Sequence, residues 1–431
     1  MDPTDTIFAL SSGAPPAAIA IIRLSGAEAF NVVRGLAGRL PSPRRASLCA
    51  LREPGSSDIL DQALVLVFPA PQTATGEDLA EFHLHGGRAV VRAVERAIEA
   101  FPSVRRAEAG EFTRRAFANG RMDLNEAEGL ADLLSAETEW QRRAASLMYG
   151  GTFSIAIEGY RQEVLRLSAL TEAELDFSDE GDVDSQNNSS ITDACITLQN
   201  EIGKLLANPS AEKLRDGLRV VLAGPPNSGK STLLNALVGR EAAIVSDIAG
   251  TTRDMIEIPV SLDGVALILT DTAGLRDESD DVIERMGIDR SHTAMQQADI
   301  LLWLGPEGAG PRHAKLIEVA TKSDVEGNDG KSDAAIVVSA MTGAGIPTLL
   351  TRVARTAKTL LPPPDHFAIN LRQRSLLSQA VAAFGACSDT SDWLIIAENL
   401  RLARLAFDSL TGRAHTEELL DNIFGKFCVG K

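Results

Sequence analysis

Hydrophobic and polar positions follow two rhythms along this 431-residue chain. In the first 118 residues, short apolar runs are separated by turn-like stretches. AAIAIIRLSG (17–26), QALVLVFPA (62–70) and LAEFHLHGG (79–87) read as strands. RAVVRAVERAIEAF (88–101) reads as an amphipathic helix, with Val91, Val94, Ala97 and Ile98 on one stripe. From about 120 the period lengthens to that of a helix, carried by Leu124, Ala127, Ala131 and Leu134, and Gly150-Gly151 is a natural stop. Helical patterning runs to about 215, interrupted by an acidic loop at 176–190. At 218 the texture changes again. LRVVLAG (218–224) is a continuous apolar run ending in glycine, as expected of a buried parallel strand. VALILTDTAG (265–274), DILLWLG (299–305) and AAIVVSA (334–340) repeat that texture, and helical stretches between them predict a doubly wound α/β domain. After LPPPD (361–365) the chain reads as helical to its end. The predicted organisation is an α+β domain over 1–118, a first helical part over 119–215, an inserted α/β domain over 216–355 and a second helical part over 356–431.

Composition narrows the class. The chain is 44% hydrophobic and 23% charged, ordinary for a soluble protein. No apolar run approaches the roughly 20 residues that span a bilayer. The start, MDPTDTIFAL, lacks the basic region of a signal peptide. Cys49, Cys195, Cys387 and Cys428 show no paired spacing, which points to a reducing cytoplasm. A net charge of −17 disfavours a protein that coats nucleic acid electrostatically. A local basic patch stays open, because Arg105, Arg106, Arg114, Arg115, Arg121, Arg142 and Arg143 cluster in one stretch. The other reading of that cluster is solvated helix faces.

The candidate chemistry starts at GPPNSGKS (224–231), a G-x-x-x-x-G-K-S match between a predicted strand and the helix-like STLLNALVG. Gly224 and Gly229 let the backbone N–H groups curl toward phosphates, and the following helix adds its positive end. Lys230 reaches the β- and γ-phosphates, and the Ser231 hydroxyl is placed for Mg²⁺. DTAG (271–274) puts Asp271 at a strand's edge near that metal, with the Gly274 N–H toward the γ-phosphate. GTTRD (250–254) supplies a metal-binding threonine between them. The order and spacing match the switch regions of a GTPase, and a P-loop ATPase fits these three motifs as well.

The base decides between the two. Guanine presents N1–H and an amine that one carboxylate accepts together. In TKSD (321–324), Asp324 stands where that carboxylate belongs and Lys322 would lie along the base. VSA (338–340) would offer a backbone N–H from Ser339 or Ala340 to the guanine carbonyl. Thr321 occupies the position usual for asparagine. Leu275 follows DTAG where many small GTPases place a glutamine to orient water, so another catalytic group is required. The stretch 305–320 leaves hardly any room for the helix expected there.

GPPNSGKSTLLN, AIVSDIAGTTRD, DTAGLR followed by IERMGI, and the terminal FCVGK together resemble the tRNA modification GTPase MnmE (TrmE) family over nearly the whole chain. The resemblance implies a P-loop GTPase domain inserted into a helical domain, preceded by a folate-binding, dimer-forming domain. It implies nucleotide contacts from Asn227, Ser228, Gly229, Lys230, Ser231 and Thr232, from Asp271, Thr272, Ala273 and Gly274, and from Lys322, Asp324, Ser339 and Ala340. K⁺ would be held by Asn227 and by the loop Ser246, Asp247, Ile248, Ala249, Gly250 and Thr251, with Ser246, Ile248 and Thr251 as ligands. Ser231 and Thr252 would bind Mg²⁺, and Glu284 would orient the attacking water. Arg23, Glu81, Arg121 and Lys431 align with positions that hold a 5-formyltetrahydrofolate-like ligand; lysine is usual where Arg121 stands. Cys428 matches a functionally required cysteine, against the alternative of simple buried packing.

The implied enzyme is a cytoplasmic homodimer that hydrolyses GTP. With the flavoprotein MnmG, in a heterotetramer, it would modify carbon 5 of the wobble uridine of certain tRNAs. A ribosome-assembly GTPase and a non-catalytic tRNA-binding scaffold are the competing readings. The flanking FCVGK and the folate-like domain argue against the first.

Overall fold

The structure, a computed structural model, describes residues 5–56, 58–176, 186–239, 242–243, 256–272, 292–325, 331, 336–414 and 416–430. The chain divides into two compact units, Met1–Ala131 with Asp408–Lys431, and Asp132–Phe407. Among the described residues no helix is long and apolar enough to cross a membrane.

The first unit is built on a six-stranded sheet. Its strands are β1 (Thr6–Leu10), β2 (Ile19–Ser25), β3 (Ser47–Arg52), β4 (Ile59–Phe68), β5 (Leu79–His85) and β6 (Val104–Arg106), in the order β3-β4-β5-β2-β1-β6. Only β1 and β6 pair in parallel. Strict alternation sorts the faces. Ala20, Ile22 and Leu24 of β2, Val65 and Val67 of β4, and Phe82 and Leu84 of β5 are buried beneath helices α1 (Ala29–Ala37) and α2 (Arg88–Glu99). The same alternation turns Arg23 and Glu81, which face each other in register, to the opposite side of the sheet. The strands expected at 17–26, 62–70 and 79–87 are present; β1 and β3 carried no earlier signal.

Helices α3 (Glu111–Ala118) and α4 (Leu124–Ser135) follow, and the chain's end returns to pack here. Leu124 and Ala127 share a cluster with Leu420, Ile423, Phe424 and Phe427. Ala109 bridges to Val429, and Ser11 Oγ donates to the Gly430 carbonyl at 2.9 Å. Gly430 adopts φ +96°, and a Cβ there would lie 2.3 Å from the Leu10 oxygen, so only glycine allows this approach.

The second unit carries the α/β sheet. Its strands are β7 (Leu218–Ala223), β8 (Ala242–Ala243), β9 (Ile256–Leu262), β10 (Val265–Asp271), β11 (Ile300–Trp303), β12 (Leu316–Ala320) and β13 (Ile336–Val337). The order is β13-β12-β11-β7-β10-β9-β8, and all are parallel except the β8–β9 and β9–β10 pairs. Val220, Leu222, Leu267, Leu269, Ile300 and Leu302 form a core with Leu233, Leu234 and Leu237 of the helix Lys230–Val238.

Before the sheet come α5 (Glu139–Tyr149), α6 (Thr152–Asp176), α7 (Gln186–Leu206) and α8 (Ala211–Asp216), so Lys230–Val238 is α9. After it come α10 (Ile346–Lys358), α11 (Leu371–Ser388), α12 (Trp393–Thr411) and, in the first unit, α13 (Glu417–Phe424). α5 holds both chain crossings into the α/β part. Gln141 Nε2 donates to the Leu214 carbonyl at 3.0 Å, and Trp140 Nε1 donates to the Pro362 carbonyl at 3.0 Å.

Parallel neighbours usually need a helical crossover. β11 and β12 are joined instead by the irregular stretch 304–315, as the short spacing implied. Trp303 takes over the helix's role on that face. It packs on the cluster of Val221, Ala223, Ala298 and Leu301, and its indole N–H donates to the Pro306 carbonyl at 2.9 Å.

Candidate nucleotide site and a second site in the first unit

The phosphate loop leaves β7 at its carboxyl end and enters α9, the position that open α/β sheets reserve for ligands. Gly229 takes φ +90° as the N-cap of α9, and Asn227 is left-handed at φ +62°. Lys230 is buried and donates to the carbonyls of Gly224 and Pro225, each at 3.0 Å. The Ser231 hydroxyl donates to Asp271 Oδ2 at 2.5 Å, so the two oxygens expected at the metal lie together. Asp271 is fully buried at the end of β10, which runs beside β7 in register. Thr272 Oγ1 donates to the Leu222 carbonyl at 2.9 Å and fixes the start of DTAG. Ser228 Oγ is buried with no hydrogen-bond partner among the described residues, an orphan that a bound phosphate group would satisfy. Thr232 follows Ser231 in the first turn of α9.

The base side is tied to this loop. Thr321 Oγ1 donates to the Ser228 carbonyl at 2.7 Å, and Lys322 Nζ donates to the Asn227 carbonyl at 2.7 Å. The threonine that departs from the usual asparagine thus joins the base loop to the phosphate loop. A hydrogen bond from Ser339 holds the exposed Asp324 carboxyl below the usual carboxylate range. That bond brings TKSD and VSA together at one edge. Ser339 itself is buried, its N–H donating to the Ala344 carbonyl at 2.9 Å and its Oγ accepting from Thr342 N at 3.1 Å. Ala340 follows it in the turn. Ser246, Asp247, Ile248, Ala249, Gly250, Thr251, Thr252, Ala273, Gly274, Leu275 and Glu284 lie outside the described residues.

In the first unit, the Arg23 guanidinium donates to Glu81 Oε1 from Nε (3.0 Å) and Nη2 (2.8 Å). His83 Nε2 lies 3.2 Å from Glu81 Oε2. Burial pushes the Glu81 carboxyl up, but Arg23 and His83 outweigh it and hold it below the usual carboxylate range. His83 was missed in the sequence, although its spacing of two from Glu81 in a strand puts both on one face. Arg121 Nε donates to the Thr73 carbonyl at 3.1 Å, on the loop between β4 and β5. Cys428 is exposed, unlike the buried Cys49, Cys195 and Cys387, and all four are free thiols. Simple buried packing therefore does not explain Cys428. Lys431 lies outside the described residues, one position beyond Gly430.

The arginine cluster noted in the sequence is engaged internally. Arg105 pairs with Asp5 and with Glu111, and Arg115 with Glu77 and Glu111. Arg106 pairs with Glu95 and Glu99, and Arg114 with Glu417 and Asp421. Arg142 pairs with Glu139, and Arg143 with Asp365. These arginines are ion-paired, and several, such as Arg142 with Glu139 on one helix, remain on solvated faces.

Comparison with known proteins agrees with this geometry. The family model described as "GTP-binding protein TrmE N-terminus" matches residues 6–121, and the one described as "MnmE helical domain" matches residues 124–428. A protein of Erythrobacter litoralis named tRNA modification GTPase MnmE is 55% identical over 427 residues, covering 99% of this chain and 100% of that one. Its namesake from Novosphingobium aromaticivorans is 52% identical over 436 residues, with 99% and 100% coverage. With the phosphate loop, the strand-end aspartate and the base loop in place, the chain belongs to the tRNA modification GTPase MnmE family.

Proposed function

We propose that this chain hydrolyses GTP with Mg²⁺ and K⁺ and, with the flavoprotein MnmG, modifies carbon 5 of the wobble uridine of certain tRNAs. A 5-formyltetrahydrofolate-like folate would donate the one-carbon unit. The chain would act in the cytoplasm as a homodimer within a heterotetramer. Its G domain, 216–355, would sit between helical parts 119–215 and 356–431, after the folate domain 1–118. The observation that carries the GTPase reading is the contact of Ser231 with Asp271 beside the phosphate loop.

Those two oxygens suit a hard cation such as Mg²⁺, which would neutralise charge on the phosphates. Lys230 would exchange its loop carbonyls for the β- and γ-phosphates, and Asp324 would accept from the guanine edge. Asn227 supports the potassium reading. It is exposed, its backbone is fixed by Lys322, and its side chain has no partner among the described residues. Arg23 suits the folate glutamyl carboxylates and Glu81 suits the pterin amide, with Arg121 and Lys431 as further cations. The return of 426–430 to β1 supports one site that includes the FCVGK end.

Two measurements on the full chain test the reading. GTP turnover in KCl is expected well above that in NaCl, and equal rates would remove the potassium role. Wobble-uridine nucleosides of tRNA from cells lacking the chain are expected to lose the modification. An intact modification would remove the tRNA assignment.

A further inference from the structure

Among the described residues, α2 carries an arginine face that no carboxylate pairs. Helix α2 buries Val91, Val94, Ala97 and Ile98 against the sheet. Its opposite side carries Arg88, Arg92 and Arg96, all exposed, at every fourth position and so roughly 6 Å apart along the axis. Glu95 and Glu99 stand three residues after Arg92 and Arg96, where they would make helix ion pairs. Both turn to Arg106 instead. Arg88 Nε donates to the Pro15 carbonyl, and Arg96 Nε to the Arg92 carbonyl. Among the described residues no carboxylate pairs with any of the three.

This arrangement is unfavourable for the helix alone. Like charges four residues apart repel. The first turn holds Arg88 and no acid, against the helix dipole. Acid is abundant elsewhere, with 59 Asp and Glu against 42 Lys and Arg, so a bare arginine stripe is not forced by composition. Solubility gives no reason for it either, since the net charge is already −17. A row of guanidinium forks at this repeat suits a run of phosphates along a nucleic-acid strand.

We propose that the Arg88–Arg92–Arg96 face of α2 docks the phosphate backbone of tRNA. The inference rests on the tRNA-modification reading and adds to it a place of contact. The contact neutralises backbone charge and carries no base readout. It also gives this strongly acidic chain a local anchor for RNA.

The test titrates labelled tRNA with the full chain over a series of KCl concentrations. Changing all three arginines to Gln is expected to weaken binding about tenfold or more at low salt. The slope of log K against log salt should fall by roughly 2 to 3, since each lost phosphate contact removes about 0.7–0.9. Gln is nearly as good a helix former as Arg and removes the repulsion within the row, so the melting temperature should be at or slightly above that of wild type. The triple Lys variant, which keeps the charge, should keep most of the slope. A control that changes three arginines ion-paired on their own helices to Gln, Arg142 with Glu139, Arg166 with Glu163 and Arg401 with Glu398, removes the same formal charge and should leave the slope unchanged. A triple Gln variant with wild-type affinity and slope would overturn the proposal. So would an equal loss in the control, or a triple variant that loses only a protein partner. Wild-type chain that shows no tRNA binding in any salt would sink the tRNA reading itself.

Discussion

Two regions of the molecule hold their cations with different partners. In the first unit, arginines are locked to carboxylates, Arg23 to Glu81 and Arg105 and Arg115 to Glu111. At the phosphate loop, Lys230 donates to the carbonyls of Gly224 and Pro225, and Lys322 to that of Asn227. A neutral carbonyl is a weaker partner for an ammonium than an anionic oxygen is. The phosphate loop can therefore hand its lysine to a triphosphate with a net gain. A ligand carboxylate in the first unit must instead share an arginine that already has an anion. Glu81 fixes the orientation of Arg23 through its two hydrogen bonds. The phosphate loop's carbonyl-held lysines suit exchange, and the carboxylate-paired arginines of the first unit suit bracing.

The braced side breaks hardest. Glu111 is 1% exposed and takes Arg105 at 2.6 and 2.9 Å and Arg115 at 3.2 Å. Glu111→Gln leaves Arg105 with Asp5 and Arg115 with Glu77 as their remaining anions and should cost about 1–3 kcal/mol. A lower first melting transition at pH 7 checks this, and an unchanged one would refute the bracing. The pH dependence has a definite sign. Burial pushes the Glu111 carboxyl up, but Arg105, the Glu108 N–H and Arg115 hold it below its ordinary value. A depressed carboxyl gives stability that is full above the unfolded pKa of about 4.3 and is lost as pH falls through the folded one. Wild type should lose this contribution in acid below about pH 4, and the Gln variant should show a flatter acid limb.

The exchanging side should break in activity and not in stability. Lys230→Ala removes the cation that moves to the phosphates. A loss of turnover on the order of 10²–10³ is expected, the scale of deleting one charge-stabilising donor. Steady-state GTP hydrolysis reads it, and melting without nucleotide should shift less than turnover falls, since two of the bonds lost go to backbone carbonyls. A large loss of nucleotide-free stability would show this lysine to be braced after all, and would end the contrast.

The nucleotide site was legible in the sequence because each of its residue types is required by a contact over a short span. GPPNSGKS, DTAG and TKSD carry their chemistry locally; the phosphate loop and Asp271 leave neighbouring strands, and TKSD leaves a strand two places away in the same sheet. The family resemblance placed the terminal Lys431 at the first domain's ligand positions, but the contacts by which 408–431 packs on the first unit carry no pattern of their own. Gly430 meeting Leu10 and Val429 bridging Ala109 are single approaches with no periodicity to announce them. The arginine cluster misled for a related reason. Asp5, Glu417 and Asp421 are far from their arginines in sequence, so only tertiary structure pairs them. The missing crossover helix could be counted from the spacing, but its replacement by Trp303 could not. β9 was also missed; its Pro259 argues against a strand interior, yet it pairs antiparallel with β10 along its whole length.

Thr321 gives the finest test of the exchanging site. Read from sequence, it was a departure at the guanine motif; in the structure its hydroxyl reaches the Ser228 carbonyl. That bond couples the base loop to the phosphate loop, so it should matter to GTP affinity and little to fold. Thr321→Ala removes one neutral hydrogen bond, worth about 1 kcal/mol, or roughly fivefold in GTP affinity. Thr321→Ser keeps the hydroxyl and should stay near wild type. Equilibrium titration with a fluorescent guanine nucleotide separates the two. If Ala and Ser are weakened alike, the methyl group's packing matters and the tie does not, and if neither is weakened the tie has no role in binding. If Ala alone weakens binding while turnover at saturating GTP holds, the threonine acts by positioning the base loop, and the phosphate loop reaches its ligand as a unit with it.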